Sequence, residues 1–315
     1  MNIFCDHHSV LSSSLITEKT CQEVSWIEQV LRIVEQDTQY HSECFEILTK
    51  LLKITSCNPD TNKIVQSKYV QKIIDAIVST KKSAPVESLS CLAKCFELYG
   101  GTTGIYKNKI YEFCVSFIDI PDENVAETAG LCLHLLQQSR GGSVAGGVYK
   151  KCWAEFHDRT LGSLEEVLGK IMKKSGGGVG KSEQLQLPEL TLSPEPFNMY
   201  TQLFVRFQNL VTILQVSLLK PFPTPKIMQV SRSLTLIEDG IATSQMLLSK
   251  KSIAEATVLH LLHGQIHAKL LEVLMTLVRT LKNNIIIHSK TVCDILWRCL
   301  KQTNSHEQHK YEANL

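Results

Sequence analysis

A chain of 315 residues, 43% hydrophobic and 20% charged, is long enough to bury a sizeable core and has an ordinary globular composition. Its 33 basic and 31 acidic residues leave a net charge of +2, which excludes a strong overall attraction to nucleic acid or to an anionic membrane. Eleven cysteines, with no Cys-x-x-Cys pair and no apolar leader among Met1 to Val10, point to free thiols in a reducing compartment, cytosol or nucleus. No uninterrupted apolar run reaches the roughly 18 residues of a membrane helix, so a soluble protein is expected.

Residues 1–20 are polar and Ser/Thr-rich and read as a disordered N-terminus. A first helix is expected from about Glu23 to Glu35, with Trp26, Ile27, Val30, Leu31 and Val34 inward. Ser42 is placed to cap a second, whose stripe is Cys44, Leu48, Leu51, Leu52 and Thr55, and Asn58-Pro59-Asp60 ends it. Val70, Ile73, Ile74 and Ile77 mark another helix, broken at Lys81-Lys82-Ser83. Pro85 opens the next, with Leu89, Leu92, Phe96 and Tyr99 on one face and Gly100-Gly101 as its stop.

Between Ile105 and Met172 three amphipathic helices follow one another with no strand between. Ile110, Phe113, Cys114 and Phe117 form one stripe. After a break at Asp119-Ile120-Pro121, where Pro121 can open a helix, Val125, Ala129, Cys132, Leu133 and Leu136 form a second. Beyond Gly141, Gly142, Gly146 and Gly147 a third helix turns Trp153, Phe156, Leu161, Leu164, Leu168 and Ile171 inward. Such stripes bury only against one another, so the fold class is all-α. Helix pairs recurring at about 40 residues give the period of an irregular HEAT/armadillo-like α-solenoid.

The helical region 21–174 is followed by a Gly/Pro-rich stretch, 175–197, read as a flexible linker. A second helical region, 198–302, resumes with Leu203, Phe207, Leu210, Val211, Leu214 and Leu218, then turns stiffly at Pro221, Pro223 and Pro225. Ile227, Val230, Leu234 and Ile237 follow, and a looser polar stretch near Gly240. The helix from Gln265 to Lys282 carries Ile266, Leu270, Val273, Leu274, Leu277 and Leu281, and a last one carries Val292, Ile295, Leu296 and Cys299. Residues 303–315 read as a polar tail.

No residue set points to catalysis. Gly176 to Ser182 imitates a phosphate-binding loop, but its first required glycine falls on Ser175, and the flanking strand and helix are missing. His260, His263 and His267 share a helical face but lack a nearby acidic or thiol ligand, so no metal or other cofactor is assigned. Cys91 and Cys95 lie one turn apart, where disulfide geometry is poor and core packing is the better reading. Leu48-Thr49-Lys50-Leu51-Leu52 has the Leu-x-x-Leu-Leu form that nuclear receptors accept, yet its leucines are the stripe that packs this helix. The Lys81-Lys82 and Lys150-Lys151 pairs are too small for an RNA site. Partner-contact residues cannot be named from the sequence.

A resemblance goes further. Tyr106 to Ile110, Ser116-Phe117-Ile118-Asp119, Glu127 to Cys132, and Trp153 with Leu161, Leu164 and Leu168 occur in the order of the N-terminal helical region of the proline-, glutamic acid- and leucine-rich protein family. Val24 to Ile27, Pro221 to Pro225 and Gln265-Ile266-His267 extend the likeness over roughly residues 20 to 302. The resemblance implies a non-enzymatic scaffold of a nuclear complex, in nucleolus and nucleoplasm, that processes pre-rRNA and matures the large ribosomal subunit. It implies as partners a WD-repeat subunit, a second helical-repeat subunit and, on the large-subunit precursor, an AAA-type ATPase. Self-association as a homodimer is also implied, with RNA contact indirect or weak and no membrane. The family's long acidic tail and further helical repeats find no counterpart in these 315 residues, so functions that depend on them are not carried over. A cytosolic armadillo-type transport or signalling adaptor is the alternative.

Overall fold

The computed structural model describes residues 22–80, 83–139, 146–172, 183–242 and 252–312, with side chains placed as far as residue 301. Every element among them is a helix. They are α1 (22–36), α2 (His41–Ser56), α3 (Pro59–Ile64), α4 (Val70–Ser79), α5 (Pro85–Thr103) and α6 (Lys107–Val115). Then come α7 (Glu123–Leu136), α8 (Gly146–Met172), α9 (Pro196–Leu219), α10 (Val230–Ala242), α11 (Ile253–Leu281) and α12 (Ser289–Glu312). The expectation of an all-α chain is met. Residues 1–20, the Lys81-Lys82 pair, the glycine-rich loop of 176–182 and the end of the polar tail from 313 lie outside the described residues.

The helices sort into two compact units, one of residues 1–117 and 131–145 and one of 118–130 and 146–315. In the first, α5 is the packing centre for α2 and α4, and α6 packs on α4. The stripes of α2, α4 and α5 expected from the sequence are buried throughout. Local signals at the helix ends behaved differently. Ser42 caps nothing; α2 begins at His41, whose Nε2 lies 3.0 Å from the Val34 carbonyl, after a short turn capped by Asp37. α2 ends at Ser56, just before the expected break at Asn58-Pro59-Asp60, and Asn58 also caps α3, accepting from the Asp60 N–H with Pro59 in the first turn. Helical backbone continues from α3 to α4 through a π-turn at Val65–Tyr69. Gly100-Gly101 does not stop α5: the chain kinks at Tyr99 (φ −130°, ψ 27°) and continues to Thr103.

The second unit is built around α9, which packs against α8 and α11, while α10 joins α8, α11 and α12. By length and composition α9 could cross a membrane, more apolar than the sequence reading allowed, yet 72% of its apolar window is buried among neighbouring helices. Two polar residues on it hold the chain that wraps around. Arg206 donates from Nε and Nη2 to both Asp119 carboxylate oxygens at 2.7 and 2.6 Å, and from Nη2 to the Pro188 carbonyl at 2.9 Å. Asn209 Nδ2 donates to the Ile118 and Ile120 carbonyls at 2.8 and 2.7 Å. These bonds satisfy backbone oxygens of a turn that has no helix of its own to do so. Asp122 then caps α7, accepting from Asn124 and Val125, so Pro121 precedes the cap and does not open the helix.

Within the 175–197 stretch, the described residues 183–197 form a fixed strap. Leu185 is buried, its N–H donates to Ser163 Oγ at 3.0 Å, and Glu183 pairs with Arg159 at 2.9 Å. The Ser193 N–H donates to Gln202 Oε1, and Pro196 sits in the first turn of α9. Composition favours disorder only while no surface is offered for the leucines. Here α8 and α9 offer one.

α10 continues past Gly240 to Ala242, and residues 243–251 of the stretch expected to be loose lie outside the described residues. Gly240 faces α11 so closely that an added Cβ would lie 2.4 Å from Leu270 Cδ1. α11 begins at Ile253, twelve residues before the expected Gln265, behind a capping box of Ser252 and Glu255. α12 carries helical backbone to Glu312 through most of the expected tail. Trp26, Ile227 and Leu296, expected inward, are exposed. Trp26 and Leu296 each adjoin a buried isoleucine, and one residue turns a helix by 100°, enough to carry the side chain from seam to surface.

Removing the Asp119 carboxylate strands the Arg206 guanidinium, which is 8% exposed. Asp119→Ala should cost about 2 kcal/mol by chemical denaturation, toward the lower side for a buried pair because Asp119 itself is 31% exposed. Glycines inside helices should separate by environment. At Gly130 an added Cβ would meet Ile213 Cα at 3.1 Å, whereas at Gly264 it would meet nothing within 4 Å. Thermal unfolding should show Gly130→Val destabilised by about 2 kcal/mol. It should show Gly264→Ala stabilised by about 0.5 to 1 kcal/mol.

Candidate interaction surface

Helices α9 and α11 each use one stripe for the core and leave a second beside it. On α9 the second stripe is Thr212, Gln215, Val216 and Leu219; on α11 it is Ala268, Leu271, Glu272, Met275, Thr276 and Arg279. Both follow the i, i+3, i+4, i+7 spacing of a single helical face. The first two turns of α7, with Glu123 and Glu127, wall the groove between them, which encloses about 800 Å³. Gln215 Nε2 reaches Thr276 Oγ1 across its floor at 3.5 Å. Apolar side chains stay open to solvent: Leu219 is 57% and Met275 53% exposed. Lys269 Nζ lies 3.0 Å from Glu272 and 3.4 Å from Glu123 at the acidic end, and Arg279 lies two helical turns along α11.

Other exposed apolar residues recur at helical spacing. Tyr40, Ile47 and Ile54 are seven residues apart on and just before α2, and Trp26 and Ile33 are seven apart on α1. On α12, Cys293, Leu296, Trp297 and Leu300 form a solvent-facing stripe opposite the buried Ile295, and Lys301 lies 5.2 Å over the Trp297 ring. Contiguous apolar surface of this kind marks protein contacts more often than scattered single residues do.

The residues weighed for chemistry fall elsewhere. His263 and His267 meet with ring centroids 3.9 Å apart, but His260 is exposed, and no three His, Cys, Asp or Glu side chains gather as a metal-holding group among the described residues. Burial, followed by the neighbouring His263, pushes the His267 imidazole down to about 4. Cys91, Cys95, Cys114 and Cys132 are buried free thiols in the first unit. A hydrogen bond with Cys91 and burial hold Cys95 well above the ordinary thiol range, and burial with a Cys114 hydrogen bond does the same for Cys132. Thiols held protonated are poor nucleophiles and poor metal ligands. Leu48, Leu51 and Leu52 are buried in the first unit, which makes this Leu-x-x-Leu-Leu a packing stripe.

One buried titratable cluster had no sequence signal. His157, wholly buried, stacks on Trp153 with centroids 4.9 Å apart and planes 12° apart. Lys226 Nζ lies 5.6 Å from the Trp153 ring and donates to the Ser217, Leu218 and Lys220 carbonyls at 2.5 to 2.7 Å, closing the C-terminus of α9. Arg232 bridges Asp158 and Glu165 on α8. Burial, then Arg232, then Lys226 lower the His157 imidazole to about 4. Trp153 and His157 are enclosed, and the contacts around them tie α8 to α10 and the segment after the Pro221–Pro225 turn to the end of α9. The cluster is a structural joint.

The sequence compares with known proteins across most of these elements. It is 23% identical over 276 residues to proline-, glutamic acid- and leucine-rich protein 1 of Xenopus laevis, covering 86% of this chain and 27% of that one. It is 22% identical over 218 residues to the Mus musculus protein of the same name, covering 68% of this chain and 19% of the relative. The chain is similar to proline-, glutamic acid- and leucine-rich protein 1, the family that the sequence resemblance named. It spans about a quarter of the length of the Xenopus relative. No family model matches it.

The native state keeps His157 neutral down to about pH 4, whereas the unfolded chain binds its proton near the ordinary value of 6.5. Protons therefore bind the unfolded chain first, and stability should be constant above pH 6.5 and fall as pH drops toward 4. At about 1.4 kcal/mol per unit the His157 share approaches 3 kcal/mol. His157→Phe keeps the stack and should flatten that part of the urea-midpoint profile between pH 6.5 and 4. An unchanged slope would assign the acid sensitivity to other groups.

Proposed function

We propose that this chain is a non-catalytic helical scaffold of a nuclear complex that processes pre-rRNA and matures the large ribosomal subunit. The observation that carries the proposal is the likeness to proline-, glutamic acid- and leucine-rich protein 1 along 86% of the chain, from unit one into unit two. Physical chemistry supports the scaffold half of the reading. Apolar helix faces remain open on α1, α2, α12 and in the groove of α9 and α11, and their stripes suit contacts with other helices. Paired helices with outward faces of this kind accord with an irregular HEAT/armadillo-like array, whose flanks are docking surfaces. In this reading the partners are a WD-repeat subunit, a second helical-repeat subunit, a second copy of the chain and, on the precursor particle, an AAA-type ATPase. RNA is met indirectly, in keeping with a net charge of +2.

Affinity purification of the tagged chain from nuclear extract, followed by mass spectrometry, tests the reading. A WD-repeat subunit together with large-subunit precursors is the expected recovery. Transport cargo or cytoskeletal proteins in their place would overturn it and favour the adaptor.

A further inference from the structure

We propose that the groove between α9 and α11 receives an amphipathic helix of a partner protein, with its apolar ridge on Leu219, Leu271 and Met275 and a basic flank against Glu123 and Glu127 of α7. The inference rests on the scaffold reading and names the kind of partner that one of its surfaces takes.

Three observations fix the occupant. The groove walls are helices, and the residues lining it repeat at three and four residues along them, with Leu219 and Met275 open to solvent. A docked helix presents apolar residues at that same period, so ridge and groove can interdigitate over successive turns. An extended strand would gain nothing from such walls, because it needs unpaired backbone donors and acceptors and these walls have spent theirs inside α9 and α11. The floor is soft as well as apolar. Met275, half-exposed and unbranched, can repack around side chains of differing shape.

Charge sets the orientation. On the α7 side stand Glu123 and Glu127, and Glu272 faces them from α11. Lys269, shared between Glu123 and Glu272, leaves that end acidic. Glu123 is 76% exposed despite its contact with Lys269, so it remains open to a second cation. Arg279 stands at the other end. A helix entering with lysine or arginine along the α7 flank meets carboxylates there, and one with an acidic flank is repelled. Opposed charges at a rim chiefly select the partner and its direction, while the apolar floor supplies most of the affinity.

The test uses the full chain with ¹³C-methyl methionine, its Met275 signal assigned through Met275→Leu, and two synthetic peptides. Both peptides carry leucines at i, i+3, i+4 and i+7; one has lysine flanks and the other glutamate flanks. The lysine peptide should shift the Met275 methyl signal, and the glutamate peptide should bind at least about tenfold more weakly, a difference of about 1.4 kcal/mol. Glu127→Lys, on an exposed side chain, should reverse that order, and Glu127→Gln should level it. An unmoved Met275 signal, or both peptides binding the parent chain and Glu127→Lys alike, overturns the proposal. The scaffold reading is measured on recovered partners without these peptides, so a chain that recovers large-subunit precursors yet leaves Met275 unmoved overturns the groove alone. Circular dichroism melting confirms that each variant is folded.

Discussion

The second unit depends on α9 being enclosed. A helix this apolar is insoluble by itself, and α8 and α11 packed along it remove its side chains from water. Enclosure brings a polar obligation: backbone groups of the connecting segments are drawn out of water too and need partners. Arg206 and Asn209 meet that need from α9, binding the carbonyls of Ile118, Ile120 and Pro188 and the carboxylate of Asp119. Two side chains on one helix thereby fix both the turn before α7 and the strap before α9. At the far end Lys226 does the same for the last carbonyls of α9. The helix is apolar where it meets helices and polar where it meets loops.

That arrangement explains why the outer surface is free for other work. Where neighbouring helices do not cover a helix, part of its circumference stays open. On α9 and α11 part of the remainder forms a groove with open leucine and methionine, and on α12 it is a second apolar stripe. Open apolar stripes flanked by charges offer selective contacts to other proteins.

The titratable groups fit the same picture. His157 and His267 are held neutral, and Cys95 and Cys132 are held protonated, all with burial among the causes. His157 is shut between Trp153, Lys226 and Arg232, and its shift reports packing.

Helix identity was legible in the sequence because apolar stripes at three and four residues are a local property. The seams of α2, α4, α5, α8 and α9 follow them residue by residue. The order of short segments around Tyr106, Glu127 and Trp153 likewise carried the resemblance to the proline-, glutamic acid- and leucine-rich protein family, and the comparison finds that likeness over 86% of the chain. Local pattern failed where a neighbour distant in the chain decided the outcome. The strap at Glu183–Ser193 has a loop composition, yet Arg206 and Ser163 fix it. Gly240 looks like a helix breaker, yet Leu270 fills the space beside it. Leu219 and Met275 are ordinary apolar residues off the main stripes, and only the approach of α9, α11 and α7 makes them the floor of a groove. A stripe states that a helix must be covered; which helix covers it, and which face stays bare, depends on contacts between residues far apart in sequence, and those the tertiary structure alone decides.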